Sequence, residues 1–464
     1  RIFGVFLAFK LMRSLSALMV SVALLMMSNS MFTTLLALRG KIEGYSNEFI
    51  GLTMSVYFIG FCIGTFRSGP LINRVGHIRS FAAFGAIASA STLCFVLFIH
   101  PWAWLIARLV MGASIAGMFV VAESWLNNRA SNEVRGTVLA IYIMIGYLAA
   151  AIGQQALPWS NPAEANLFLL VAIFLSLAVV PVSLTRATHP DPVPSPRLDL
   201  RRLLFTSPAA VTGCFSAGLA IGALWGLAPI YARDIGLSVN QVAMFMSAAL
   251  VGGLLFQLPI GRLSDRLDRR GVLLGTTLLG GLIAVGLALG PALPFPALLG
   301  AIFLYYGFTS TLYPLSLAYA NDYLEHDDVI TMGSGFVLAF SVGAAIGPIA
   351  AALTMRWTGP SGLFLFEILV ASGLTLFTLW RMRVRMWAGI IKKDPYVALP
   401  DAHAPVIVSE LDPRASVSEN YDTGADTLVT RDTHLTDVNV ETTSAEFLEA
   451  DGARSTDVPE EPSA

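Results

Sequence analysis

The chain has 464 residues, 55% hydrophobic and 13% charged, with a formal net charge of −2 at pH 7. Soluble domains carry roughly 25% charged residues, so this balance excludes an ordinary soluble fold and points to a chain dissolved in lipid. No G-x-x-x-x-G-K-[ST] loop, H-E-x-x-H pair, metal-spaced Cys or His cluster or G-x-S-x-G turn occurs, which leaves no sequence ground for an ATP-driven pump, a metalloenzyme or a serine hydrolase.

A bilayer-spanning helix needs about 20 predominantly apolar residues. In chain order, such runs are predicted at roughly 15–38, 49–66, 80–99, 102–126, 136–157, 166–185, 209–230, 241–260, 271–290, 296–320, 331–353 and 361–380. Twelve runs predict an all-α integral membrane protein with twelve transmembrane helices, against the alternative of a large soluble α protein with buried helices. The first run is too long for the h-region of a cleavable leader and continues into the multispan pattern. Cys62, Cys94 and Cys214 each fall inside a run without C-x-x-C spacing and read as free packing residues, so neither metal nor cofactor is expected.

The connecting segments carry lysine and arginine unevenly. With the N-terminus inside, the inner segments hold 21 and the outer segments 4 (Arg39, Lys41, Arg233 and Arg356). This bias predicts that both termini are cytoplasmic. From Asp394 onward there are 16 acidic and 3 basic residues, with few aromatics. That composition predicts a disordered acidic tail over 386–464, solvated by default, with a tail-binding protein partner as the alternative.

A shift of 192 residues lays the chain on itself: Gly44 on Gly236, Ser46 on Ser238, Met54 on Met246, Gly60 on Gly252, Gly69 on Gly261 and Arg74 on Arg266. Ser238-x-x-Gln241 is a capping-box pattern, and Ser46 stands in the same place before its helix. Two pseudo-symmetric six-helix halves follow, 1–185 and 208–385, joined by a cytoplasmic linker at 186–207. Pro190, Pro192, Pro194 and Pro196 suit an extended linker, and LDLRRLLF after them reads as a short amphipathic surface helix or an unstructured connection.

Two charged loops repeat with the halves. GPLINRVGHIRS runs from Gly69 to Ser80, and GRLSDRLDRRG from Gly261 to Gly271. They resemble the G-x-L-[AS]-D-[RK]-x-G-[RK]-[RK] signature of the major facilitator superfamily. The second copy keeps Gly261, Leu263, Ser264, Asp265, Arg266, Arg269 and Arg270 but has Asp268 at the late glycine; the first has Asn73 in the acidic place. Arg108-Leu-Val-Met-Gly112 resembles the R-x-x-x-G of span 4 in that family, and ESWLNNRASNEVRG is similar to its bacterial YcaD-like branch. The resemblance covers about residues 1–390 and implies the major facilitator fold, alternating access, transport without enzymatic activity and a location in the bacterial inner membrane.

The resemblance also implies a gating latch in these loops. A carboxylate is favourable at a helix N-terminus, so Asp265 is expected at the start of span 5 near Gly136, and the uncharged Asn73 at the start of span 11 near Met332. Arg74 or Arg79 is expected near Glu123, and Arg266 or Arg269 near Asp322. The alternative is that these arginines merely set orientation.

Ionisable groups inside spans are costly and mark function by default. Arg108 is a coupling candidate, or a helix-end arginine snorkelling to the interface. Glu123 and Glu367 are further coupling candidates, the latter alternatively a structural or lipid-adjacent carboxylate. Asn29, Gln154, Gln155, Trp225, Gln257, Tyr305, Tyr306 and Tyr313 are substrate-cavity candidates. These amides and rings suit a neutral polar or amphipathic solute, unless they simply hold helices together. Gly343 to Gly347 and Gly60 to Gly64 are expected to be close-packing helix faces. The reading is a monomeric secondary transporter of a small solute with protons as coupling ion, working as a symporter or antiporter, with the lipid bilayer but no nucleic acid as partner. A transporter-like sensor signalling through the acidic tail is the competing reading.

Overall fold

The computed structural model describes residues 15–129, 135–185, 207–322 and 326–384. The expected linker, except Ser207, and the expected tail lie outside the described residues. So do the side chains at the starts of the helices beginning at 135 and 326, where the partners of Asp265 and Asn73 were expected.

Every regular element among the described residues is helical. The first half holds α1 (Ser16–Ile42), α2 (Asn47–Val75), α3 (His77–Leu97), α4 (Pro101–Arg129), α5 (Arg135–Gln154) and α6 (Asn166–Ser183). The second holds α7 (Pro208–Asp234), α8 (Val239–Arg266), α9 (Arg269–Ala288), a divided α10 (α10a, Phe295–Thr309; α10b, Leu312–Asn321), α11 (His326–Thr358) and α12 (Gly362–Val384). With α10 taken whole, all 12 are long and apolar enough to cross a membrane. In lipid a helix satisfies its own backbone groups, which is why apolar runs become helices here. Trp102, Trp159 and Trp357 are exposed near one end of the bundle, as in an interfacial aromatic belt.

The connections α1–α2, α3–α4 and so on share that end, which we call the odd face; α2–α3, α4–α5 and so on share the even face. Helices run past their apolar runs on the even face. α2 reaches Val75, beyond the predicted end near 66, and stops where Gly76 takes a φ of 95° that a side chain would resist. The hydropathy signal ends with the hydrocarbon, whereas the helix ends at a backbone stop.

Span 10 was expected to be continuous and is not. Pro314 has no N–H to give the carbonyl four residues earlier, and the chain breaks at Ser310 and Thr311. The Thr311 hydroxyl donates to the Phe308 carbonyl at 2.7 Å, helping to close the upper segment.

The repeat has a packing basis. α2 lies on α4, and α8 on α10. Gly60 sits against the Leu109 backbone and Gly252 against that of Phe303, so equivalent glycines permit equivalent close approaches. Both equivalent serines cap their helices: Ser46 Oγ accepts from the Phe49 N–H at 3.2 Å, and Ser238 with Gln241 completes a capping box. Gly343 and Gly347 of α11 lie on the backbone of α7 at Phe215 and Leu219. The halves meet where α2 packs on α11 and α5 on α8, with α1 and α2 also touching α7.

Candidate functional site

These seams frame a partly open cavity lined by both halves, the kind of concave, largely apolar place where small-molecule sites form. The first half supplies Asn29, Ser30 and Thr33 on α1, Met54 and Phe58 on α2, and Tyr142 and Tyr147 on α5. The second supplies Trp225 on α7, Leu250 on α8 and Tyr306 on α10a. Trp225 Nε1 donates to Tyr306 Oη at 3.1 Å, and the two rings meet edge to face, centroids 5.3 Å apart.

Of the eight cavity residues expected from the sequence, the structure brings Asn29, Trp225 and Tyr306 to the cavity and places the others elsewhere. Gln154 Nε2 donates to the Ser30 carbonyl and hydroxyl (3.0 and 2.8 Å), tying α5 to α1. Gln155 Nε2 donates to Ser247 Oγ at 2.6 Å, tying α5 to α8. Tyr305 turns to Phe364 and Glu367 on α12, Tyr313 packs on the Phe340 ring, and Gln257 is buried within the second half. Helix periodicity gives each residue a face but not which neighbour covers it. Tyr142 and Tyr147 carried no signal in the sequence beyond being aromatic.

Arg108 is buried in α4 (1% exposed), so it is no snorkelling residue. Its guanidinium lies 4.2 Å from the Tyr57 ring centroid and 5.3 Å from that of Phe32, and donates to Thr33 Oγ1 at 3.3 Å. Glu123, nearer the even end of α4, is also fully buried. Tyr142 Oη donates to its Oε1 at 3.2 Å, and its Oε2 has no partner among the described residues. Glu123 therefore sits one hydrogen bond behind the cavity wall. Glu367 is buried beside Tyr305, away from the cavity; among the described residues neither of its oxygens has a partner in hydrogen-bonding geometry.

The arginine expectation at Glu123 needs correcting. Arg74 and Arg79 are both exposed, whereas Glu123 is buried and held by the Tyr142 hydroxyl of α5. Instead His77 contacts α4 there, with Nε2 3.0 Å from Ser124 Oγ. His77 is the residue that the 192-residue shift lays on Arg269; the sequence reading missed it because imidazole and guanidinium do not match as letters.

In the second half Arg269, not the exposed Arg266, reaches Asp322. Its Nη1 donates to Asp322 Oδ1 at 2.8 Å and to the Ala318 carbonyl, and its Nη2 lies 3.4 Å from Asp265 Oδ1. Asp268, where the family's glycine was expected, caps α9 by accepting from the Arg270 N–H at 3.0 Å. On the odd face, ion pairs join the halves: Lys41 to Asp234 at 3.0 Å and Arg356 to Glu48 at 3.7 Å.

Twelve membrane-length helices in two equivalent halves around a central cavity define a membrane transporter architecture. The Major Facilitator Superfamily description matches residues 18–231 and 210–411, and the chain belongs to that family. It is 29% identical over 377 residues to the uncharacterized MFS-type transporter YcaD of Escherichia fergusonii, covering 80% of this chain and 96% of that relative. It is 30% identical, with the same coverage, to the protein of that name from Shigella flexneri serotype 5b. Among solved structures it resembles the nucleoside transporter NupG, with a TM-score of 0.67 at 14% identity over 81% of this chain and 99% of that one. It also resembles the Escherichia coli fucose:proton symporter FucP, with a TM-score of 0.52 at 16% identity over 80% of this chain and 99% of that one. These structural likenesses establish the shared fold. The protein is a membrane transporter.

Proposed function

We propose that this transporter is a secondary active carrier, moving a small solute by alternating access between two rocking halves and drawing on a proton gradient. The observation that supports this most is the cavity at the seam between halves, with the ionisable Glu123 one hydrogen bond behind it through Tyr142. A buried carboxyl changes charge by taking or losing a proton, and Tyr142 belongs both to the cavity wall and to Glu123. Glu123 is thus a better coupling group than Glu367, which lies away from the cavity. The likeness to a fucose:proton symporter is consistent with proton coupling in this fold.

The lysine and arginine bias supports a cytoplasmic even face with both termini inside, and we take the chain to act as a monomer in the bacterial inner membrane. The Arg269–Asp322–Asp265 cluster, with His77–Ser124 as its counterpart, serves as the gating latch on that face. The ion pairs Lys41–Asp234 and Glu48–Arg356 close the opposite face.

Proteoliposomes with an imposed proton gradient test this. Uptake of the transported solute is expected to collapse with an uncoupler, and Glu123→Gln is expected to retain solute exchange while losing gradient-driven accumulation. Accumulation in Glu123→Gln equal to that of the unmodified protein would remove Glu123 from the coupling role.

A further inference from the structure

Among the described residues, the two buried arginines other than Arg108 are each answered by a carboxylate. Arg39 meets Glu43 at 2.6 Å, and Arg269 meets Asp322. Arg108 differs. The partners around its guanidinium among the described residues are the Thr33 hydroxyl, the sulfurs of Met54 and Met111, and two aromatic faces, with no carboxylate among them. Thioethers are weak acceptors, and a guanidinium cannot shed its charge by losing a proton. A charge at this depth without a counter-ion is costly and is a functional signal.

Its position says what would answer it. Arg108 lines a small cleft together with Thr33 and Met54. Both residues also line the central cavity, so a single layer of side chains separates Arg108 from it, and one member of that layer is a flexible methionine. Two polar residues of α1, Asn29 and Thr33, stand in the cavity wall on this side. The Thr33 hydroxyl accepts from Arg108 and donates to the Asn29 carbonyl at 2.9 Å, while Asn29 Oδ1 accepts from Tyr57 Oη at 3.3 Å. The rest of the wall is apolar and aromatic: Phe58, Tyr142, Tyr147, Trp225 and Tyr306.

We infer that the solute is an amphipathic organic anion, with a carboxylate head taken at the Thr33 corner by Arg108 and an apolar or aromatic body against the ring wall. This rests on the carrier reading above and narrows the neutral polar or amphipathic solute expected from the sequence to an amphipathic anion. The sequence could place Arg108 on α4 but not show that no acid meets it.

The experiment uses the full chain, purified and reconstituted, with benzoate and phenylpropionate against their neutral amides. Saturable binding read by thermal shift is expected for the acids, with the amides about tenfold weaker or more. Arg108→Gln should reduce that preference to about twofold or less while Arg108→Lys keeps part of it, a discrimination that a purely structural arginine would not set. Thr33→Val, a milder change at the same corner, should also shrink the preference. Equal binding of acids and amides to the unmodified protein, no binding of either acid, or an undiminished preference in Arg108→Gln overturns the proposal, and the first two outcomes need no variant to fold. Acid-selective binding without uptake would uphold this site and sink the carrier reading. Uptake of a neutral or cationic solute that Arg108→Gln leaves unchanged would do the reverse.

Discussion

At the residue scale, charges inside the bundle differ in how they are satisfied, and that sorts their roles. Arg269 and Asp322 satisfy each other while nearly fully buried. Removing one member of such a pair strands the other, at about 3–5 kcal/mol. Asp322→Asn is therefore expected to lower the melting temperature clearly, measured in detergent. Asp265 is about one-third exposed and lies 3.4 Å from the same arginine, so Asp265→Asn should leave the fold intact. It is expected to slow cycling more than Asn73→Ala does, measured as the initial rate of solute uptake. Equal, negligible effects of the two would sink the gating role of this loop. Glu123 and Arg108 stand apart from such pairs. Both belong to α4, 15 positions apart, or about 22 Å by helical rise. One helix thus carries a group able to change charge near the even face and a fixed cation near the odd face.

At the element scale, the contacts that define the repeat are backbone against backbone. Gly60 on Leu109 and Gly252 on Phe303 leave no room for a side chain, because the listener across each seam is main chain that cannot rotate away. Gly60→Leu and Gly252→Leu are each expected to destabilise by about 1–3 kcal/mol or more, seen as reduced yield of monodisperse protein. Gly271, with open space at the position of a Cβ, is the matched control, and Gly271→Ala should be near neutral. Span boundaries were legible because a hydrocarbon slab imposes a length on apolar runs. The break in α10 was less so: Pro314 was visible, but a proline inside a span is read either as a kink or as a break, and neighbouring helices decide which.

At the scale of the whole molecule, the two halves are tied on the odd face by half-exposed ion pairs. Lys41 and Asp234 are 33% and 23% exposed, so the pair contributes about 0.2–1 kcal/mol. That is a small bias, suited to a contact that the proposed alternating access would break in every cycle. Lys41→Glu is expected to change the uptake rate by less than about fivefold. The exchanged pair Lys41→Glu with Asp234→Lys should recover the original rate. Deleting residues 394–464 is expected to leave flux unchanged in proteoliposomes, since the cavity, Glu123 and the ion pairs all lie in the bundle; loss of flux would return the tail to the mechanism.

Much of this protein could be read from the chain itself. Solvation in lipid forces long apolar helices, and an internal repeat preserves its glycines, caps and charged loops at one fixed offset, so the span count, the two halves and the family were all legible. The expectation that an arginine of the second loop meets Asp322 came from the resemblance of that loop to the family's signature. Tertiary structure decided what the helices present to one another. It put Tyr142, rather than an arginine, on Glu123, turned Tyr305 towards α12 while Tyr306 faces the cavity, and left Arg108 facing rings and sulfurs instead of an acid. Most of these contacts join residues tens of positions apart, and a helical pattern specifies a face without specifying what comes to lie against it.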